Sequence, residues 1–386
     1  MDNVVDPKLK AWSYRPEYID AVNQYGSIRA AERALKVTND VIGRSIRRAK
    51  KAAASKGYSP DHAMIHTVPD PYVVKGISTL YDGEGQVRSQ WVKSTLDDER
   101  RMEILKEASE AFSQEIPRVD PIQAPGHTNA DLANLYIFTD YHLGAYAWAG
   151  EGGEDWDLEI AERLLIKSLE QMVTSSPHAK VGILGQLGDF LHTDGLLPTT
   201  PTHGHVLDAS GRFPQMAKAA VRCLRRMIDI MLMKHEQVYV LLIEGNHDIA
   251  SSMWLREMFR ALYENEPRVK IDDGELPYHC YQHGETMLGF HHGHMKKREA
   301  LPLLFAAQYP KVWGNTTKRY VHCGHMHHER VEEHSGIKVI QHPTLAARDS
   351  HSSRSGYHSE RQASCITYHT KHGKVGEVVV TPLMVA

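Results

Sequence analysis

Several broad classes are excluded by what this chain has little of. Its 386 residues include only four cysteines (Cys223, Cys280, Cys323 and Cys365), and none stands in a C-x-x-C pair. That argues against a zinc ribbon or a disulfide framework and fits a reducing cytosol. No apolar run approaches the roughly 20 residues that span a bilayer. The N-terminal stretch MDNVVDPKLKAW lacks the charged-then-apolar pattern of a secretory leader. No G-x-x-x-x-G-K-S/T run occurs, so no P-loop is expected. Repeats and low-complexity tracts are absent. The formal net charge is only −3, so any surface for nucleic acid has to be local. Hydrophobic content of 41% with 24% charged residues is that of a soluble globular protein. The length suits a large catalytic domain with a smaller accessory one.

Histidine is what the chain has in excess, with 25 residues. The organising stretch is VYVLLIEGNHD, from Val238 to Asp248. Its apolar, β-branched part reads as a buried strand, and Gly245 opens a loop that presents Asn246, His247 and Asp248. Four other apolar runs end alike: LYIFTDYH with Asp140 and His142, VGILGQLGDFLH with Asp189 and His192, MLGFHHGH with His291, His292 and His294, and RYVHCGHMHH with His325 and His327. In a D-x-H or H-x-H step the two side chains share a face, because strand residues i and i+2 do.

Taken in order, residues 1–56 predict a helical unit. PEYIDAVNQYG reads as a helix ended by Gly26, Ser27 caps a second, and Thr38 or Asn39 caps a third, VIGRSIRRAKKAAASKG. Two helices joined by a short turn, the second densely basic, make a helix-turn-helix candidate. Arg44, Arg47, Arg48, Lys50 and Lys51 suit phosphates, while Asn39, Asp40 and Arg44 stand nearest the end that would reach base edges. The other reading is a basic three-helix unit that only packs on the catalytic domain. Residues 57–130 predict a β-hairpin (Val73–Leu80 and Gln86–Lys93 around an Asp82–Gly85 turn), a charged helix at Asp97–Glu115 and a Pro-rich linker; bracing is the favoured role. Residues 131–386 alternate strands and helices as far as a helix at Met253–Glu264, then become strand-rich, which suggests two packed mixed sheets with helices outside.

Asp140, His142, Asp189, Asn246, His292, His325 and His327 are the candidate metal ligands. Oxygen and imidazole donors without thiolate favour Mn(II), Fe, Zn or Ni. Seven donors exceed what one tetrahedral ion needs and suit two ions sharing a carboxylate.

The ordered set D-x-H, GD, GNHD, HGH and GHxH, each after an apolar strand, resembles the calcineurin-like binuclear metallophosphoesterase superfamily over about Leu132 to Pro382. The resemblance implies a four-layer α/β/β/α sandwich with a two-metal site, Mn first among the metals. It implies that Asp140, His142 and His327 hold one ion, that Asn246, His292 (chosen by the family's HG step, with His291 the fallback) and His325 hold the other, and that Asp189 bridges them. It further implies that His247 faces the phosphate and that Asp248 orients His247. Asp189-Phe190-Leu191-His192 resembles the GDLFH segment of SbcD-type DNA repair nucleases, in which the extra histidine assists cleavage. The layout as a whole is similar to that of phage and prophage metallophosphoesterases. The expected activity is therefore two-metal phosphodiester hydrolysis on DNA, in the cytoplasm of a bacterial or phage-infected cell. A phosphomonoesterase or cyclic-nucleotide phosphodiesterase with a non-catalytic DNA-binding N-terminus is the alternative. DNA is the expected partner, together with a homo-oligomer; no membrane is expected, and DNA contacts are assigned to Asn39, Arg44, Arg47, Arg48 and Lys51. Asp194, His203, His205 and Arg212 in the loop after Asp189, and Arg348, Arg354 and Arg361 near the C-terminus, are further candidates for substrate contact.

Overall fold

A computed structural model describes residues 5–37, 40–60, 64–65, 72–81, 87–96, 122–201, 204, 206–348, 353, 356 and 358–385. Two compact units are formed, Met1–Lys106 and Glu107–Ala386. The Asp82–Gly85 turn, the Asp97–Glu115 helix, Asn39, His203, His205 and Arg354 lie outside the described residues.

In the first unit α1 (Pro16–Tyr25) ends where Gly26 turns left-handed at φ 77°. Ser27 caps α2 (Ile28–Ala34) by accepting the Ala30 N–H. Helix α3 (Val41–Ser55) starts after Asp40, not after the expected Thr38 or Asn39. Asp40 is itself left-handed, and its side chain pairs with Arg47 instead of capping a backbone N–H. Ile42, Ile46 and Ala53 of α3 pack with Ile19, Val22 and Ala31. Arg44, Arg47, Arg48, Lys50 and Lys51 are exposed on the opposite face. A short pair, β1 (Tyr58–Ser59) with β2 (Met64–Ile65), precedes the hairpin of β3 (Tyr72–Tyr81) and β4 (Val87–Leu96).

The second unit holds two sheets. The larger has the order β15-β14-β5-β6-β7-β8, with β5 (Asn129–Phe138), β6 (Ala179–Gln186), β7 (Gln237–Leu242) and β8 (Val269–Ile271) parallel. β14 (Ala363–His369) and β15 (Gly373–Val380) close one side antiparallel. The smaller has the order β12-β13-β11-β10-β9, in which β10 (Thr286–Phe290), β11 (Lys318–Cys323) and β13 (Ile337–Gln341) are parallel. β9 (His279–His283) and β12 (Arg330–His334) are its antiparallel edges. Leu135, Ile137, Ile183 and Leu241 of the first sheet meet Leu288 and Phe290 of the second in one dry layer. Beyond a short α4 (Ala149–Gly152), α5 (Leu158–Ser175), α6 (Phe213–Lys234) and α7 (Ile249–Leu262) cover the larger sheet. Helices α8 (Leu301–Gln308) and α9 (Pro310–Asn315) cover the smaller one. The result is a four-layer α/β/β/α sandwich. Parallel strands deliver their carboxyl ends to one edge, where open α/β sheets bind ligands. Among the described residues no helix is long and apolar enough to cross a membrane.

Candidate metal centre

Five loops leave the carboxyl ends of β5, β6, β7, β10 and β11 and carry every candidate ligand. Among the described residues three donor sets form, one of them His142, His192 and His247; the other two share Asp140. Asp140, His142 and His327 place ligand atoms within 4.8 Å of one another, and so do Asp140, Asp189, His292 and His325. Asn246 joins the second set through its Oδ1, 3.2 Å from His292 Nε2. The expected ligands are all brought together, with one difference: Asp140, not Asp189, belongs to both sets. Asp189 Oδ1 accepts the His247 N–H at 2.7 Å. His292 turns inward, whereas its neighbour His291 bonds the Pro277 carbonyl, as adjacent residues on opposite faces must.

The backbone is strained here and almost nowhere else. Of the seven non-glycine residues with positive φ among those described, five are candidate ligands: Asp140, His142, Asp189, His325 and His327. Each such residue costs on the order of 1 kcal/mol and persists only where its surroundings hold it. Those surroundings are visible. Asp140 N–H donates to the Gly188 carbonyl and His142 N–H to the Asp189 carbonyl. Asp140 Oδ2 accepts from Thr139 Oγ1 at 2.5 Å and from the His325 N–H at 2.8 Å. Thr344 Oγ1 donates to the Asp140 carbonyl at 2.6 Å. Gly245 is needed for close approach, since a Cβ there would stand 2.0 Å from Asp189 Oδ1. Thr139 and Thr344 have no signature in the sequence beyond lying at strand ends.

Asp140 and Asp189 are fully buried, and Asp140 Oδ1 faces His327 Nε2 at 3.1 Å. Burial alone would raise Asp140, but the charges of His327 and His292 hold it below its ordinary value. Asp189 is likewise held down against burial, chiefly by His292. Burial would lower His292, but the charges of Asp189 and Asp140 lift it to about 10. Burial, with the charge of His247, keeps His142 well below its ordinary value and therefore neutral. Two buried carboxylates ringed by imidazoles, with protons that a cation can displace, fit divalent cations.

Asp248 does not orient His247. Its Oδ1 accepts the N–H groups of Gly245 (2.9 Å) and Asp189 (3.2 Å), and its Oδ2 those of Phe190 (2.8 Å) and Leu191 (3.1 Å). It stitches the loop after β6 to the loop after β7. Burial and the charge of Asp189 push its carboxyl up to about 7. His247 is instead held by Nδ1, 2.9 Å from the His192 carbonyl. A carbonyl only accepts, so Nδ1 donates. The His192 ring lies buried beside His142, Nδ1 to Nδ1 3.4 Å.

The further candidates are mostly engaged in structure. Asp194 accepts the Ala250 and Ser251 N–H groups at 2.8 and 2.7 Å and so caps α7 across the chain. Arg361 donates to the Leu345 carbonyl, pairs with Glu154 and covers the Trp156 ring. Arg348 donates to the Gly152 carbonyl at 2.9 Å. Arg212 stands at the N-cap of α6.

No protein-family model matches the chain, and no curated protein matches it. Solved structures resemble it distantly, three of them as follows. An archaeal phosphodiesterase is 13% identical, with 64% of this chain and 99% of that one covered, at TM-score 0.33. A predicted phosphoesterase from Streptococcus pneumoniae is 10% identical, covering 65% and 90%, at 0.28. Zinc-complexed Vps29 of Entamoeba histolytica is 12% identical, covering 65% and 99%, at 0.28. Similarity this low leaves the side-chain geometry as the ground for any functional reading.

Two outcomes follow from the geometry. Asp248→Ala strands four buried N–H groups and is expected to lower stability in urea unfolding by about 3 kcal/mol or more, with loss of metal uptake. His247→Ala should change neither; equal behaviour of the two would contradict the stitching role. Metal uptake must also displace the proton that the carboxylates hold on His292, whose ordinary value they lift to about 10. Binding at pH 7 is therefore expected to release protons, and apparent affinity to fall as pH falls. Isothermal titration in buffers of different ionisation enthalpy measures both, and a pH-independent affinity would exclude His292 as a ligand.

Proposed function

We propose that this chain is a divalent-metal-dependent phosphoesterase that hydrolyses phosphodiesters, with DNA as its substrate class. The observation that supports it most is the pair of donor sets sharing Asp140, five of whose residues have left-handed backbone in three interlocked loops. Asp140, His142 and His327 would hold one divalent ion, and Asp189, Asn246, His292 and His325 the other. Mn(II) comes first among the candidates and Fe, Zn or Ni follow. When bound, such ions supply an acidified water and offset negative charge on a phosphoryl group.

The remaining chemistry belongs to side chains. His247, fixed through Nδ1 by the His192 carbonyl, keeps Nε2 for hydrogen bonding to a phosphoryl or leaving oxygen. His192 acts on this reading as a positioning residue through its carbonyl, with its ring packed beside His142 and His247. Nothing in this arrangement calls for a Ser or Cys nucleophile. DNA is favoured by the exposed basic face of α3, which carries Arg44, Arg47, Arg48, Lys50 and Lys51 and no acidic residue from Val41 to Ser55. Together with α2 it forms the proposed helix-turn-helix. Four free cysteines suit the cytosol of a bacterial or phage-infected cell.

The test is a substrate panel in Mn(II): linear and circular duplex DNA, bis-p-nitrophenyl phosphate, p-nitrophenyl phosphate and cyclic nucleotides. Diester and DNA cleavage are expected, abolished by chelator. His247→Ala is expected to slow turnover by about 10²–10⁴-fold with metal content unchanged. Hydrolysis of small diesters with intact DNA would remove the nuclease reading. A clear preference for monoesters or cyclic nucleotides would replace it.

A further inference from the structure

The hairpin of β3 and β4 is the largest feature with no part in the metal centre. Its twenty strand residues include Lys75, Arg88 and Lys93 and not one Asp or Glu. Such a bias is local, since the whole chain carries a net charge of −3. The register assigns its faces. Trp91 pairs with Ser78, Leu80 with Ser89 and Gly76 with Lys93, so Trp91, Lys93, Ser78 and Leu80 share one face. Ile77 and Val92 share the other. The first face is the more open: Trp91 is 57% and Leu80 47% exposed, and Ser78 and Lys93 are exposed too. On the second face Ile77 is 40% and Val92 39% exposed, and Val74, Thr79 and Gln90 are half-exposed. Strand β3 contacts α3, the helix with the basic outer face, inside the same compact unit.

Exposed Trp91 and Lys93 on one face offer a ligand an aromatic surface and a cation side by side. Phosphate complements the basic strands and helix, whose own residues include no acid, the hairpin's Asp82 and Glu84 falling between the strands in sequence. Strands of ten residues run to roughly 33 Å, and a two-stranded ribbon fits the major groove of duplex DNA, about 12 Å wide. We infer that this hairpin is a second DNA-binding element, in which Lys93 contacts backbone phosphate and Trp91 and Leu80 contact sugar or base surfaces, working with the basic face of α3. The inference rests on the DNA reading above for the identity of its ligand, and on the hairpin alone for the place of contact.

Binding of the full-length protein to a labelled duplex, followed by fluorescence anisotropy in EDTA, tests this without hydrolysis. Trp91→Ala is expected to weaken binding about ten-fold, with Trp91→Phe retaining most of the affinity. Lys93→Gln is expected to reduce the slope of log Kd against log salt by about one, a change that misfolding would not produce. Hydrolysis of bis-p-nitrophenyl phosphate in Mn(II) should be unchanged in all three variants. Wild-type affinity and salt slope in Trp91→Ala and Lys93→Gln would overturn the inference. So would a dimer that Trp91→Ala dissociates while DNA affinity stays constant, because the hairpin would then bind a second copy. Loss of DNA affinity in the variants of a protein that hydrolyses no phosphoester would overturn the catalytic reading and leave this one standing.

Discussion

Three carboxylates, Asp140, Asp189 and Asp248, are buried at the carboxyl ends of three adjacent parallel strands, and the architecture around them is a response to that charge. A buried carboxylate is tolerated only when it is paired or fully hydrogen-bonded. Asp248 solves the problem with four backbone N–H groups drawn from two loops. Asp140 and Asp189 solve it differently, with imidazoles from the second sheet: His292 from the loop after β10, and His327 from the loop after β11. The two sheets are therefore joined twice, by the dry layer around Leu288 and Phe290 and by this charged seam. Left-handed backbone at five of the ligands is the local cost of aiming donors from separate loops at common points.

Much of this was legible in the sequence, for a definite reason. Parallel strands covered on both faces read as continuous apolar runs, so the residue following each run falls at the ligand-binding edge. That logic pointed to the seven candidate donors, and the family resemblance, through its HG step, set His292 before His291. It could not locate what tertiary loops decide. Asp248 beside His247 suggests a side-chain pair, yet its oxygens are taken by distant amides. Thr139 and Thr344 buttress Asp140 with no motif to announce them.

The misses in the fold have equally physical causes. LPLLFAAQ in α8 is apolar on all sides and shows no amphipathic stripe, and β12 (RVEEH) is a polar edge strand without alternation. Arginines expected at phosphate were found on carbonyls, because Arg361 and Arg348 hold the chain around Trp156 and Gly152. The N-terminal helices were legible from Gly26 and Ser27, whose turn and cap are local; the start of α3 was not, because Asp40 turns back toward Arg47.

The proposed function requires these buried acids and imidazoles to cage two cations side by side. Anomalous diffraction from crystals grown in Mn(II) measures that directly. It predicts two peaks per chain, one among Asp140, His142 and His327 and one among Asp189, Asn246, His292 and His325. A single peak, or none, with the carboxylates still paired to protonated histidines, would contradict it.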